Sequence, residues 1–346
     1  MKIHIIFELK KGATGGGNQF LKAIKEYFIR VNSYTENIDE TDVIIFNSHQ
    51  CISELIAAKK KFPSKIFIHR IDGPIRLYNT MDDRRDFVIN NVNKFIADGT
   101  IFQSNWSKDR NLEMGIKKNR IEATILNAPN KNIFNQKNKV KFNKNRKIKL
   151  ISTSWSANVK KGFDVYKWLD ENLNFDKYEM TFVGNSPIGF KNIIYKKPMN
   201  GEELSNELKQ NDIFITASQK DPCSNSLIEA LHCGLPAIGL NDGGHTEIIS
   251  SGGGVFNLKE DIFLLLDKVV NNYEDYQRNI KLPDINTVGK LYYDFLENIY
   301  NEQLNGSYTS KIFNSYHLFK LKITLFLWKF SEKWNGLRVK LKKCQN

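Results

Sequence analysis

Short apolar runs alternate with helical patterns along most of this chain, in two successive series. In the first, strands are expected at 2–7, 43–47, 65–70, 94–98 and 124–126, with helices at 18–29, 50–61, 80–90 and 104–114. In the second, strands are expected at 149–154, 180–183, 192–195, 213–216 and 237–240. The helices of this series fall near 162–173, 201–210, 224–233, 245–250 and 259–279. A run such as Ile213-Phe214-Ile215-Thr216 has no alternation to solvent, so it reads as a strand buried on both faces, as in parallel sheets. Strands separated by helices build a parallel sheet covered on both sides. A doubly wound sheet takes its ligands at the carboxyl ends of its strands. The 346 residues suffice for two such cores. The expectation is an α/β protein of two Rossmann-like doubly wound domains, 1–130 and 148–283, facing each other across a cleft. The Asn- and Lys-rich stretch 131–147 reads as a linker with little to bury. Residues 284–306 read as a helix crossing back to the first domain, and 307–346 as a basic amphipathic tail.

The most informative local pattern runs from Asp221 to Pro236, DPCSNSLIEALHCGLP. Two carboxylates, Asp221 and Glu229, stand eight positions apart. Between them a polar turn, Ser224-Asn225-Ser226, leads into an apolar helix start at Leu227. A helix start offers unpaired N–H groups and a positive dipole end, which suit a phosphate. Glu229 sits about one turn inside, within reach of sugar hydroxyls attached to that phosphate.

This segment resembles the donor-sugar motif of retaining family-4 glycosyltransferases of GT-B fold, written E-x7-E, here with Asp221 as the first, shorter carboxylate. The resemblance extends through EALHCG-P and Gly243-Gly244-His245-Thr246-Glu247. It implies a nucleotide-diphosphate sugar as donor, with Asp221 and Glu229 binding its hydroxyls and Ser224, Asn225, Ser226 and Leu227 at its phosphates. By the same resemblance, Gly15, Gly16 and Gly17 form a loop over the donor diphosphate; taken alone they fit a tight turn equally well. Lys161 matches the family's diphosphate-binding lysine beside a glycine. The family's arginine position falls near Ser156, which leaves Lys160 as the substitute. Gly184-Asn185 and Pro198-Met199 correspond to loops that hold the nucleotide base. His69, near the end of a first-domain strand, is assigned by resemblance to the donor sugar or the reacting centre. Arg70 and Asp72 either orient His69 or bind the acceptor. Ser104-Asn105-Trp106-Ser107 reads as a helix cap.

No D-x-D motif stands in a loop, since Asp82-Asp83 falls in an expected helix, and no histidine pair has metal-ligand spacing. No metal or other cofactor is therefore expected, and the leaving diphosphate is to be stabilised by helix dipole and lysine. The four cysteines, Cys51, Cys223, Cys233 and Cys344, form no C-x-x-C and read as reduced thiols of a cytoplasmic chain. The N-terminus reads as a strand rather than a leader.

The net charge of +13 is concentrated. Residues 307–346 carry nine Lys and Arg against Glu332, which is +8 and leaves +5 for the first 306 residues. In that tail Lys322, Lys329, Lys333 and Lys340 share one side of a helix, and an apolar stripe runs through Phe319, Ile323, Leu327, Phe330, Trp334, Leu337 and Leu341. Trp328 and Trp334 suit a headgroup layer. The pattern fits a peripheral anchor on an anionic membrane at its inner face, or a terminal helix packed on the first domain. Charge following a face of the fold would mark a nucleic-acid binder. Its confinement to an apolar tail argues against nucleic acid. The leading expectation is a metal-independent retaining glycosyltransferase acting on a glycan or lipid-linked acceptor in surface polysaccharide or glycolipid synthesis. The alternative on the same fold is a nucleotide-sugar 2-epimerase-like enzyme.

Overall fold

The structure, a computed structural model, describes residues 1–10 and 16–343, of which 335–343 by their backbone alone. The chain divides into two compact units. The first comprises Met1–Glu8, Phe28–Ile125 and Leu291–Asn346, and the second Leu9–Tyr27 and Leu126–Lys290.

In chain order the first half contains β1 (Ile3–Ile6), α1 (Gly16–Arg30), β2 (Val43–Asn47), α2 (Ile52–Lys61) and β3 (Ile66–Ile71). There follow α3 (Ile75–Tyr78), α4 (Arg85–Phe95), β4 (Gly99–Phe102), α5 (Asn105–Glu113) and β5 (Ile121–Thr124). The five strands are parallel and lie in the order β1-β2-β3-β4-β5. Strands wound in one direction with right-handed crossovers put their connecting helices on one face. Accordingly Leu55 of α2 and Val88 and Val92 of α4 share a core with Ile44, Phe46 and Phe67. The expected strand at 94–98 is instead the end of α4 and its exit, and the strand starts at Gly99. The expected strand at 124–126 is displaced to Ile121–Thr124. Asp82 and Asp83 lie in the turn before α4, not in a helix, and Asp83 accepts the backbone N–H of Arg85.

The second half contains β6 (Ile148–Ser154), α6 (Phe163–Asn172), β7 (Tyr178–Gly184), β8 (Ile194–Lys196), α7 (Gly201–Lys209) and β9 (Ile213–Thr216). It continues with α8 (Asn225–His232), β10 (Ala237–Leu240), α9 (His245–Ile249), β11 (Gly253–Phe256), α10 (Asp261–Asn271) and α11 (Tyr273–Arg278). Its parallel sheet has the order β11-β10-β9-β6-β7-β8. Winding runs outward from β6 to β8, then reverses at β9, so β6 and β9 are neighbours at the point of reversal. Alternate residues serve opposite faces. Ile213 and Ile215 face the core under α6 and α10, and Phe214 faces the core under α7, α8 and α9. The stretch expected as a linker is part of this unit. Phe134 is buried in the second of these cores, Phe142 stacks on Tyr273 at 4.0 Å, and Arg146 makes two hydrogen bonds to the buried Asp212.

Two C-terminal helices complete the first unit. The division between units falls inside α12 (Ile285–Leu304), whose Phe295 fills the space that a side chain at Gly99 would need. Beyond it, α13 (Ser315–Lys343) packs on α4. Leu321 is fully buried among Val88, Val92 and Phe95, with Leu325 and Trp328 beside it, and Thr324 accepts a hydrogen bond from Asn91. Trp328, expected at a headgroup layer, instead meets His49 edge to face at 5.7 Å. The tail is thus a packing element, but through a face other than the expected stripe, whose Phe319, Phe330 and Trp334 are exposed. The side chains of Leu337 and Leu341 lie outside the described residues.

Truncating Leu321 to alanine should cost about 2–5 kcal/mol, read as a lowered melting temperature. Deleting the chain after Asn305 should unfold the first unit, seen as loss of its share of the cooperative transition. A truncated chain that melts like the full one would show that α13 adds nothing to the core.

Candidate active site

Because β6 and β9 are adjacent, the loops leaving their carboxyl ends start side by side, and a doubly wound sheet opens its ligand crevice at such a reversal. After β6 the chain makes a short 3-10 turn over Val159–Lys161, capped by the Asn158 side chain, which accepts the Lys160 N–H. It leaves through Gly162 at φ 81°, where a Cβ would overlap the backbone of Ala217 just past β9. Only glycine offers both this conformation and this approach. The Gln219 N–H donates to the Lys160 carbonyl at 2.7 Å, joining the two loops.

Lys161 is thereby delivered to Asp221. Its Nζ lies 2.8 Å from Asp221 Oδ2 and 3.2 Å from Ser218 Oγ, and Ser218 Oγ lies 3.2 Å from the same carboxylate oxygen. Burial pushes the Asp221 carboxyl up, but the Lys161 ammonium, His245 and the Lys161 and Ser218 hydrogen bonds outweigh it and hold the carboxyl below its usual range. A third loop closes on Asp221 from β10. Gly243, at φ 65°, abuts the Asp221 backbone so closely that a Cβ would overlap its carbonyl, and the Gly244 N–H donates to that carbonyl at 2.9 Å. His245 is fully buried behind this turn. Its Nδ1 lies 3.0 Å from the Leu240 carbonyl, and its Nε2 has no hydrogen-bond partner among the described residues.

Helix α8 starts next to this pair. Ser224, its N-cap residue, makes no side-chain capping hydrogen bond, so its first turn presents uncapped N–H groups. The N-terminus of α1 meets it: Gly16 packs so tightly on the Asn225 side chain that a Cβ there would overlap it. Asn127 Nδ2 donates to Asn225 Oδ1 at 3.1 Å. Two positive helix ends therefore converge at Asn225. Gly16 and Gly17 are the first residues of α1 rather than a loop before it, and Gly15 lies outside the described residues. One turn into α8, the Glu229 side chain makes no hydrogen bond with any described residue, and burial pushes its carboxyl up to about 8. Leu227 points into the core. On the other side of β6, the Asn185 N–H donates to the Ser154 carbonyl and Asn185 Nδ2 to the Trp155 carbonyl, which sets Gly184-Asn185 at the end of the same strand. Met199 packs against the core under α7, and Pro198 precedes it in the β8–α7 loop.

The first-unit residues divide differently. His69 is enclosed in the core of the first unit. It is the fourth of six residues in β3, fully buried and stacked on Phe46 at 4.3 Å. Its Nε2 lies 3.0 Å from the Ser48 carbonyl and its Nδ1 3.2 Å from Asn93 Nδ2. Burial pushes its pKa down to about 3, so the ring is neutral, donating to the carbonyl and accepting from the amide. Both nitrogens are occupied within the core, which argues against contact with a donor sugar. Arg70 does not orient His69 either. It donates to Asn47 Oδ1 at 2.6 Å and to Asp72 Oδ1 at 3.0 Å. Asp72 also accepts from Asn47, Ser48 Oγ and Gln103, and its side chain remains 34% exposed. These residues form a fixed carboxylate at the carboxyl ends of β2, β3 and β4. Ser104 caps α5 by accepting the Ser107 N–H.

Sequence reasoning missed Ser218, Asn127 and the packing of His245. Asn127 lies 98 residues from Asn225 and carries no local signal, whereas Ser218 stands three positions before Asp221 in the same loop. Among the described residues no group of three or more His, Cys, Asp or Glu could hold a metal ion.

Residues 189–281 match the family model described as glycosyl transferases group 1, a segment that contains β9, α8 and the Asp221–Glu229 pair. No curated protein matches the chain. Among solved structures, the chain is similar to sucrose-phosphate synthase from Thermosynechococcus elongatus, with TM-score 0.60 and 11% identity over 97% of this chain and 99% of the other. It is similar to Anabaena HepE in complex with UDP-glucose, with TM-score 0.63 and 13% identity over 88% and 99%. It is also similar to the catalytic domain of starch synthase IV from Arabidopsis thaliana bound to ADP and acarbose, with TM-score 0.55 and 11% identity over 83% and 79%. The fold is thus of the GT-B type, and the segment that carries the Asp221–Glu229 pair is the part that matches the group 1 glycosyl transferases.

Glu229 titrates in a way that stability can report. Its folded carboxyl, near 8, lies above the unfolded value near 4.5, so its contribution is full below pH 4.5 and is lost as pH rises to 8. Glu229→Gln does not titrate. The melting temperature of the wild type should therefore fall relative to this variant between those limits, by roughly a few degrees, in thermal melts run without ligand. An unchanging difference would mean that Glu229 is ionised throughout.

Proposed function

We propose that this chain is a glycosyltransferase that moves a hexose or similar sugar from a nucleotide-diphosphate donor to a hydroxyl of a glycan or lipid-linked acceptor, with retention at the anomeric carbon and without a metal. The observation that carries this reading is the half-buried Glu229 carboxyl, which makes no hydrogen bond with any described residue, one turn inside a helix whose uncapped start meets a second helix start. A nucleoside diphosphate supplies what both lack: phosphate oxygens for the N–H groups and ribose hydroxyls for the carboxyl. The group 1 match supports a sugar donor, as do similar folds that hold UDP-glucose or ADP.

In the unliganded chain Lys161 and Asp221 neutralise each other, which lowers the cost of burying either charge. A donor diphosphate competes for the ammonium. When Lys161 turns to it, Asp221 is released to accept a hydroxyl of the transferred sugar. Glu229, uncharged near neutral pH, adds no repulsion to the diphosphate and bonds the ribose. Lys161 and the two helix ends then stabilise the negative charge that develops on the leaving group. Asp221, once released, is taken up by the sugar hydroxyl and Glu229 is protonated, so neither is assigned as a nucleophile. The leaving phosphate takes the acceptor's proton on the face it departs from, which yields retention. Asp72, held at the strand ends of the first unit with part of its carboxylate exposed, is the candidate for an acceptor hydroxyl. The chain works on the inner face of the cell membrane as a peripheral protein, in assembly of surface polysaccharide or glycolipid. The exposed apolar stripe of the basic tail supports this location.

UDP-, GDP- and ADP-sugars screened by thermal shift, then by transfer to lipid-linked and oligosaccharide acceptors, test the reading. One nucleotide series should stabilise the chain and transfer its sugar with retained configuration. Failure of all three to bind would overturn it. Glu229→Ala should lower turnover about a hundredfold or more, on the order of 3 kcal/mol. Lys161→Ala should lower turnover and weaken inhibition by the nucleoside diphosphate together. EDTA should leave activity unchanged; loss of activity would refute the metal-free mechanism.

A further inference from the structure

Helix α13 has two apolar faces, and the first unit uses only one. With Leu321 at zero on a helical wheel, Leu325 and Trp328 lie within about 40° of it, toward the core of the first unit. Phe319, Ile323, Phe326, Phe330 and Trp334 lie between about 140° and 220°, on the opposite side. Phe319 is 59% exposed, Phe326 67%, Phe330 57% and Trp334 53%. Aromatic rings stack along this outer face, Phe326 on Phe330 and Phe330 on Trp334. Lys322, Lys329 and Lys333 line one edge, near 100°, and all three are exposed.

The other edge opens into a cavity of about 570 Å³ between α13 and the α3–α4 segment. Leu327, Phe330 and Trp334 form one wall, and Arg76, Arg84 and Phe87 the other. Arg76 lies with its guanidinium 5.2 Å over the Phe87 ring, and its Nε donates to the Met81 carbonyl, so its position is fixed. Arg84 makes no ion pair among the described residues. Asp82 is the one carboxylate on the cavity wall. An aromatic floor is thus bracketed by lysines on one side and by two arginines around a cavity on the other.

We propose that this cavity binds the phosphate headgroup and upper acyl chain of an anionic phospholipid, and that the outer face of α13 lies in the interfacial layer of the membrane. The inference deepens the membrane location proposed above and rests on it. Charge complementarity selects the occupant. Arginine forks match phosphate oxygens, the lysine row matches the anionic surface around it, and the aromatic face matches the acyl boundary. No described helix is long and apolar enough to cross a membrane, so contact is by one face.

The test uses the full chain and co-sedimentation with phosphatidylcholine vesicles, with and without phosphatidylglycerol. The wild type should bind the anionic vesicles, weaken with salt and shift tryptophan emission to the blue. Arg84→Glu should weaken that binding roughly tenfold or more, and Phe330→Ser should weaken it at all salt concentrations. Both variants should keep the wild-type thermal shift with the nucleotide sugar, which separates this site from the donor site. Wild-type chain that ignores anionic vesicles overturns the proposal. Binding that survives Arg84→Glu overturns the role of the cavity. A dimer in light scattering that Phe330→Ser dissolves, without vesicle binding, would assign the face to a second copy instead.

Discussion

Lys161 and Asp221 are held 2.8 Å apart by the order in which the second sheet is wound. Sixty residues separate them in sequence. They meet because the chain lays β7 and β8 to one side of β6, then returns to lay β9 against its other side. The two loops at that reversal have no strand between them, so their side chains can share a site. Gly162 and Gly243 then bring backbone onto backbone, leaving the Asp221 loop clamped from two directions. Removing either partner of a buried pair leaves a charge without compensation, so both the local fold and the proposed chemistry depend on this contact.

The two carboxyls of the motif acquire opposite characters from their surroundings. Asp221 is buried beside a cation, which holds its carboxyl below the usual range; Glu229 is half-buried without one, and desolvation pushes its carboxyl up to about 8. The same eight-residue spacing therefore supplies one charged and one neutral group, a difference in environment that the residue types do not reveal. In the first unit the polar groups serve another end. His69, Asn93, Thr100 and Asn119 bond to one another across the core, and Lys311 joins them through Asn119.

What could be read from the sequence follows from how local each signal is. Strands at 43–47, 213–216 and 237–240 were legible to the residue because each is a continuous apolar run with polar flanks. β4 was not, because Gly99 and Thr100 weaken its pattern while the apolar residues of 94–97 end a helix; the side chains that crowd Gly99, Ile68 and Phe295, both come from elsewhere in the chain. The Asp221–Glu229 motif and Lys161 were legible through resemblance, and the structure brings Lys161 and Asp221 together. For His69, sequence gives its position near a strand end but not the Ser48 carbonyl and Asn93 amide that occupy its ring. In the tail, the stripe of large residues was evident. Leu321, Leu325 and Trp328 were overlooked as a second stripe because three residues on a helix of 29 make a faint pattern.

The first sheet takes part of its cover from the end of the chain, from Phe295 in α12 and Leu321 in α13. Its five strands are complete by Thr124, yet these side chains are translated only some 170 to 200 residues later. At typical elongation rates that interval is roughly ten to forty seconds. During it the second unit can close around its own residues, while the strands made first wait with part of their surface uncovered. Order of synthesis and order of completion are thus inverted, and the isoleucine-rich strands β1 to β3 are the part of the nascent chain most in need of shielding by a chaperone.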